Sequence, residues 1–334
     1  MVQHLTIESV RVTEAAALAA YTCMGRGDMS AVDQASTGAM LDAINQLPIR
    51  GHVVIEERKI TDTPPMITKG MTLGCGAQDV DIILNPVEGA VSLARGGFNA
   101  MSVMAVSPQG GFCTLPAGYM KKLAVGPGLP HDLVSLEEEP LINLRELARA
   151  KRVPVSELVV CVLDRPRHEE LIAKIRSAGA CISLIPDGDV SGIIATALPR
   201  RGVNMYVGVG GTLEGLLAAA AFKCIGGTFL GQLVMDTPDQ VQAAHDVGIT
   251  NLHQIYTQDD LVTDDVIFAA TGISHGTIFK GIHNFAGGAT THSLFLRSVT
   301  GTVRRIETTH YFKRKEQGLK KVADANIRSQ GLRG

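Results

Sequence analysis

The stretch Glu157–Val190, ELVVCVLDRPRHEELIAKIRSAGACISLIPDGDV, decides the fold. Residues 157–163 form an apolar run of strand length. Residues 167–179 carry apolar side chains at helical spacing and end on Gly179, a residue suited to closing a helix. CISLI (181–185) is a second short apolar run, and the loop PDGD leads into another helical stretch, VSGIIATAL (190–198). A further strand, VNMYVGV (203–209), meets a glycine-rich turn that opens the helix GGTLEGLLAAAAFKC. This alternation predicts βαβ units with parallel strands, and so an α/β protein. Ligands of such sheets gather at the carboxyl ends of the strands, where the polar motifs of this chain fall.

Toward the N-terminus the rhythm differs. Residues 5–24 and 31–47 read as two helices joined by GRGDMS, the first apolar enough to offer an association surface. HVVIEE (52–57), VDIIL (80–84) and AMSVMAVS (100–107) read as strands that follow one another without long helices. VIFAAT (266–271) and TVRRIETTHYFKR (302–314) add late strands. The organisation expected is a mixed-sheet half over residues 1–150, a βαβ half over 151–315, and a polar tail at 316–334.

The chain has 334 residues, 45% apolar and 19% charged, enough for a sizeable core. A formal net charge of −2 argues against a general nucleic-acid binder. No apolar run approaches about 18 residues, so no membrane span is expected, and the acid-containing start is unlike a signal peptide. Six cysteines without a C-x-x-C pair read as buried small apolar groups in a reducing cytosol, which places the protein in the cytoplasm.

Five groups of residues carry candidate chemistry. Asp33, Glu57, Glu88 and Glu214 stand at element ends, where acids either ligate Mg²⁺ or Mn²⁺ or serve as caps and solvated turn residues. Glu88 follows the strand 80–84 across an Asn85-Pro86 turn. Arg165, Arg167 and His168 lie between a strand end and a helix start, a place for a phosphate or for plain solvated charge. Asp187 and Asp189 flank Gly188 and could accept hydrogen bonds from sugar hydroxyls, with Asp189 equally natural as an N-cap. GVGGTLEG (208–215) suits phosphate or sugar contact but matches neither G-x-G-x-x-G nor a Walker motif. Tyr119, Lys121 and Lys122 could face a phosphate or be surface residues after a strand.

Taken in order, GRGD, AVDQAS, NPVEGA, GYMKKLAVGPG, DRPRHEELI, IPDGDV, GVGGTLEG, ATGISHGT and RRIETTHYF resemble the class II fructose-1,6-bisphosphatase family, including its dual fructose/sedoheptulose members, from about residue 5 to residue 315. The resemblance implies a layered α-β-α-β-α fold of the inositol-monophosphatase type, with a mixed sheet and a parallel βαβ half. It implies a divalent-metal phosphatase acting on the 1-phosphate of a ketose bisphosphate. Carried over, the metal positions are Asp33, Glu57, Asn85, Glu88 and Glu214. The sugar-phosphate positions are Glu88, Tyr119, Arg165, Arg167, Asp187, Asp189 and Gly210. A homo-oligomer, dimer or tetramer, is also implied.

The departures from that family cluster in a few positions. Its usual Asp-Pro-hydrophobic-Glu-Gly-Thr is here Asn85-Pro86-Val87-Glu88-Gly89-Ala90. Its Gly-Glu-Gly-Glu-x-Asp is Glu56-Glu57-Arg58-Lys59-Ile60-Thr61, and its Gly-Asp-Lys is Gly27-Asp28-Met29. No catalytic residue is assigned, because Met29, Thr61 and Ala90 occupy the family's catalytic positions. Each such loss costs a working site a factor of ~10²–10⁴, without additivity. The expectation is a pseudophosphatase that keeps a sugar-bisphosphate pocket, as a sensor or as the partner of an active paralogue, with Arg58 or Lys59 taking over anion binding. The alternative is an active enzyme that recruits Asp28, Asp62, Asp79 or Asp81.

Overall fold

The computed structural model describes residues 5–56, 66–199 and 202–314. Two long helices come first, α1 (Thr6–Tyr21) and α2 (Met29–Ile44), followed by strands β1 (Arg50–Val53), β2 (Thr72–Leu73) and β3 (Asp79–Glu88). A short α3 (Ala90–Ala94), β4 (Met101–Pro108), β5 (Tyr119–Val125) and α4 (Pro140–Lys151) follow. The central run is β6 (Val159–Leu163), α5 (Glu169–Ser177), β7 (Cys181–Ile185), α6 (Asp189–Ala197), β8 (Met205–Gly211) and α7 (Thr212–Ile225). Next stand β9 (Thr228–Leu233), α8 (Pro238–Asp246), β10 (Ile255–Thr257) and the single turn α9 (Gln258–Leu261). The chain closes with β11 (Ile267–Gly272), β12 (His283–Phe285), β13 (Gly288–Arg297) and β14 (Thr302–Tyr311).

These elements build two sheets. The first has eight strands in the order β12-β13-β11-β4-β3-β1-β2, with β14 paired along β13. Only β1 and β3 run parallel in it. The second has six strands, β10-β9-β5-β8-β6-β7. Its parallel part is β8-β6-β7, the stretch the alternation of residues 157–209 predicts. Beyond β8 it is antiparallel, because β5 and β9 join it from other parts of the chain. Sheet membership therefore does not follow chain order: β5 belongs with β8, and β11 to β14 belong with β3 and β4.

Five layers result, in an α-β-α-β-α stack. Helices α1 and α2 cover the outer face of the first sheet, where Ile82, Leu84, Met104 and Phe295 pack against Val12, Met40 and Ile44. Helices α6 and α7 fill the middle, their small residues Ala218–Ala221 packing with Ile83, Val103, Phe268 and Tyr206. Helices α4 and α5 cover the outer face of the second sheet. Both faces of β3 and β4 are thus buried, which explains their near-continuous apolar sequences. The apolar side of α1 is consumed by this packing. Ile7 is its one large apolar residue left exposed, with Leu18 and Tyr21 partly so. Of the cysteines, Cys161 and Cys224 are buried as expected, whereas Cys75 and Cys181 are exposed. No described helix is long and apolar enough to cross a membrane.

The turn expected at Asn85-Pro86 is not there. β3 continues through Pro86 to Glu88, and its register against β4 shifts between Asn85, opposite Val103, and Glu88, opposite Met101. That shift is a bulge, the place in a sheet where a proline without an N–H is tolerated and a side chain is re-aimed. The chain turns one residue later, at Gly89, in the left-handed conformation (φ 89°) that only glycine adopts without cost.

Ile83 is fully buried on the face toward the central layer. Ile83→Ala should lower unfolding stability by about 2–5 kcal/mol. In urea the midpoint should fall with the slope unchanged.

Candidate functional site

The bulge of β3, the start of α3, the exit of β6, the β7–α6 turn and the β8–α7 junction meet around one cavity of about 280 Å³. Its lining brings together most of the residues singled out from sequence: Asn85, Glu88, Ala90, Tyr119, Arg165, Arg167, Asp187, Asp189, Gly210 and Glu214, with Met29 at one side.

Asp33 is not among them. Asp28 caps α2 by accepting the N–H of Ala31, so α2 starts earlier than expected. Asp33 then falls a turn into the helix, exposed, where its carboxylate accepts from Thr37. Glu57, Arg58, Lys59, Thr61 and Asp62 lie outside the described residues. The other proposed substitutes are engaged elsewhere: Asp79 binds Arg50 and His52, and Asp81 accepts the N–H of Gly110. Glu56, read as a departure from the family pattern, lines the cavity instead.

One wall is cationic. Arg165 lies 3.6 Å from Asp187 and donates to the carbonyl of Pro186. Arg167 holds the carbonyl of Val209 through Nε and Nη2, at 3.1 and 2.7 Å, and lies over the ring of Tyr119. His168 stands behind this wall. It is buried, its Nδ1 within 2.7 Å of the Leu163 carbonyl and its Nε2 accepting the N–H of Val209 at 2.8 Å. That pattern fixes a neutral ring protonated on Nδ1, and burial lowers its pKa. His168 is a brace between β6 and β8, not a phosphate ligand.

The floor is acidic. Asp189 is not the N-cap of α6; Gly188 holds that place with φ 86°, and Asp189 begins the helix. Its carboxylate meets Lys122 Nζ at 2.6 Å. Lys122 is fully buried on β5, not a surface residue, and β5 is itself a strand. Gly210 is required here, since a Cβ would stand 2.0 Å from Asp189 Oδ2. Glu88 Oε1 accepts the N–H of Val190, and the Asn85 amide donates to Glu214 Oε1 at 3.4 Å. Burial raises the pKa of Glu88 well above the usual carboxylate range, helped by Asp189, Asp187 and Glu214. Burial, then Asp189, raises Glu214; burial also raises Asp187.

Two atoms test the fit of a divalent cation. Glu88 Oε2 and Asn85 Oδ1 are buried without a hydrogen-bond partner. Both are hard oxygen donors beside a second carboxylate, Glu214, which is the donor set Mg²⁺ and Mn²⁺ take. Among the described residues no three His, Cys, Asp or Glu side chains converge on one point as an ion cage. The residues therefore fit a cation held by two carboxylates and an amide oxygen, with less charge than a full carboxylate set.

Comparison with known proteins places the chain in one family. The family profile described as "Bacterial fructose-1,6-bisphosphatase, glpX-encoded" matches residues 3–310. The chain is 36% identical to a D-fructose 1,6-bisphosphatase class 2/sedoheptulose 1,7-bisphosphatase of Microcystis aeruginosa, over 93% of this chain and 97% of that one. It is 37% identical to the protein of the same name from Crocosphaera subtropica, over 92% and 96%. It is 38% identical to the fructose-1,6-bisphosphatase 1 class 2 of Escherichia coli, over 95% and 98%.

The acidic floor has a pH signature in metal-free buffer. A carboxyl whose folded pKa lies above its unfolded value binds its proton more tightly when folded. Its contribution is present at low pH and is lost as pH rises through the folded pKa. Glu88→Gln should therefore raise the unfolding midpoint at ~pH 8, and the gain should shrink toward ~pH 4. Added Mg²⁺ should raise the melting temperature of the wild type and not that of the variant.

Proposed function

The chain belongs to the class II, glpX-encoded, bacterial fructose-1,6-bisphosphatase family, and from that premise we propose that its cavity binds a ketose bisphosphate and hydrolyses it slowly or not at all. Asn85 carries this reading. Its amide stands inside the cavity, donating to Glu214, where the family pattern places a carboxylate. It removes one negative charge from the cation site and takes up a lone pair of the neighbouring acid. Ala90 and Met29 line the same cavity and offer neither a hydroxyl nor a cation to a phosphoryl group.

The binding half of the reaction retains its groups. The forks of Arg165 and Arg167, with Tyr119 beside them, suit a phosphate. Asp187 and Asp189 suit sugar hydroxyls, and Gly210 lets the chain pass close to the ligand. Mg²⁺ or Mn²⁺ would be held by Glu88, Glu214 and the Asn85 carbonyl oxygen. When bound, it would neutralise the floor and polarise a phosphoryl oxygen. The setting that suits this role is cytoplasmic, as a homo-oligomer, dimer or tetramer, or as the partner of an active paralogue in a mixed oligomer.

One observation favours the second reading, an active ketose-bisphosphatase with a rearranged site. Glu56 adds a carboxylate to the cavity, accepting the N–H of Lys69 at 3.2 Å and close to where the family pattern has its acids.

Phosphate release from fructose 1,6-bisphosphate and sedoheptulose 1,7-bisphosphate with Mg²⁺ or Mn²⁺ separates the two. The expected result is wild-type turnover below the ordinary range of ~1–10³ s⁻¹, with a gain of at least ~10-fold in Asn85→Asp, Ala90→Thr. Ordinary wild-type turnover that falls in Glu56→Gln would establish the second reading instead.

A further inference from the structure

Among the described residues Lys122 is the only lysine or arginine that is buried, and it is completely so. Alternation along β5 sends Met120, Lys122 and Ala124 toward the central helical layer, while Leu123 and Val125 face the outer one. Lys122 therefore points into the core from a strand that is otherwise apolar on that face. Its ammonium meets Asp189 Oδ2 at 2.6 Å, and Asp189 is itself 4% exposed.

The route is kept open by glycines. A Cβ at Gly210 would come within 3.0 Å of Lys122 Nζ, and one at Gly215 within 3.3 Å of its Cε. Removing a lysine and an aspartate from water is costly, and two apolar side chains of similar volume hold a core at least as well. Packing alone gives no reason for the pair. Its place does: Asp189 lines the cavity and Lys122 is not among the lining residues. The lysine touches the site through the aspartate, and its charge is also felt at Glu214.

We propose that Lys122 is the positioning residue of the sugar subsite: it holds the Asp189 side chain in one rotamer, as a carboxylate, ready to accept hydrogen bonds from the hydroxyls of a phosphorylated ketose. The proposal rests on the ketose-bisphosphate reading of the cavity and adds a residue that acts through another rather than on the ligand. Lys122 supplies the countercharge that Asp189 needs at the floor it shares with Glu88, Asp187 and Glu214. With that countercharge Asp189 remains an acceptor at a fixed point. Without it the side chain turns away.

The test is calorimetric binding of fructose 6-phosphate to the full chain, paired with thermal melts. The variants are Lys122→Met, Lys122→Gln, Asp189→Asn, and the double variant Lys122→Met, Asp189→Asn. Orienting partners of metal-ligating side chains are worth about 10–100-fold, and the same scale is taken for Asp189. Lys122→Met and Asp189→Asn should each weaken binding by that factor, and the double variant should bind no worse than the weaker single. The double variant should regain the melting temperature that either single loses, without regaining affinity. Lys122→Gln keeps an N–H toward Asp189 and should recover part of the affinity; it also serves where Lys122→Met does not fold. Affinity that returns with melting temperature in the double variant, or that stays at the wild-type value in Lys122→Met, would overturn the proposal alone. Wild-type protein that binds neither fructose 6-phosphate nor fructose 1,6-bisphosphate would overturn the ketose reading and the proposal with it.

Discussion

Four carboxylates, Glu88, Asp187, Asp189 and Glu214, are drawn into one small space where the two sheets end on the middle helices, and the rest of the site answers to that crowding. Among the described residues Lys122 meets Asp189 at 2.6 Å, Arg165 lies 3.6 Å from Asp187, and Arg167 lines the same cavity. Glu214 has the Asn85 amide for a neighbour, and Glu88 accepts the N–H of Val190. Charges that close in a medium of low dielectric cannot all stay ionised unaided, so protons or a cation must complete the balance. A fold that sought stability alone would not place them there. The raised pKa of Glu88, its unpartnered oxygen and that of Asn85 are three expressions of this imbalance.

Backbone devices make the crowding possible. The bulge at residues 85–88 turns Glu88 into the cavity while Asn85 stays on the strand, which a regular ladder could not do with residues three apart. Gly188 and Gly89 take left-handed conformations at the starts of α6 and α3, and Gly210 leaves room for the Asp189 carboxylate. The aspartates and glutamates thus arrive from the end of β3, the β7–α6 turn with the start of α6, and the first turn of α7. This is the usual arrangement of an α/β site at the carboxyl ends of strands, and it explains why the site is built from turns while the layers behind it are built from valine, isoleucine and alanine.

Much of this was legible in the sequence because it is local. The period of residues 157–198 gave two strands, two helices and the Gly179 stop nearly in place, and the polar motifs sat at the strand ends. What was not legible depends on distant partners. The doublet Lys121-Lys122 hides β5 by polarity, since nothing local reveals that Asp189, 67 residues on, will neutralise one of the two. The antiparallel half of the second sheet was missed for the same reason: β5 and β9 enter it across long separations. Asn85-Pro86 read as a turn because proline usually ends a strand, and only the register against β4 shows a bulge. Asp33 looked like a helix start because its neighbours are small and polar, while the true cap, Asp28, lies five residues earlier.

The substitutions against the family pattern gain meaning from where they fall. Asn85, Ala90 and Met29 all line the same cavity, whereas the Arg165, Arg167 and Tyr119 wall and the Asp187–Asp189 floor keep their charges and contacts. Random loss of a site should strike both halves alike. The buried Lys122–Asp189 pair argues the same way, because a pair so expensive to bury would be readily replaced by apolar side chains once the floor had no ligand to meet. Catalysis draws on interactions made only in the transition state, while binding needs those already present in the ground state. On the proposed reading, a cavity that keeps its ground-state contacts and lacks groups at the place where the ester would break separates those two requirements within one fold.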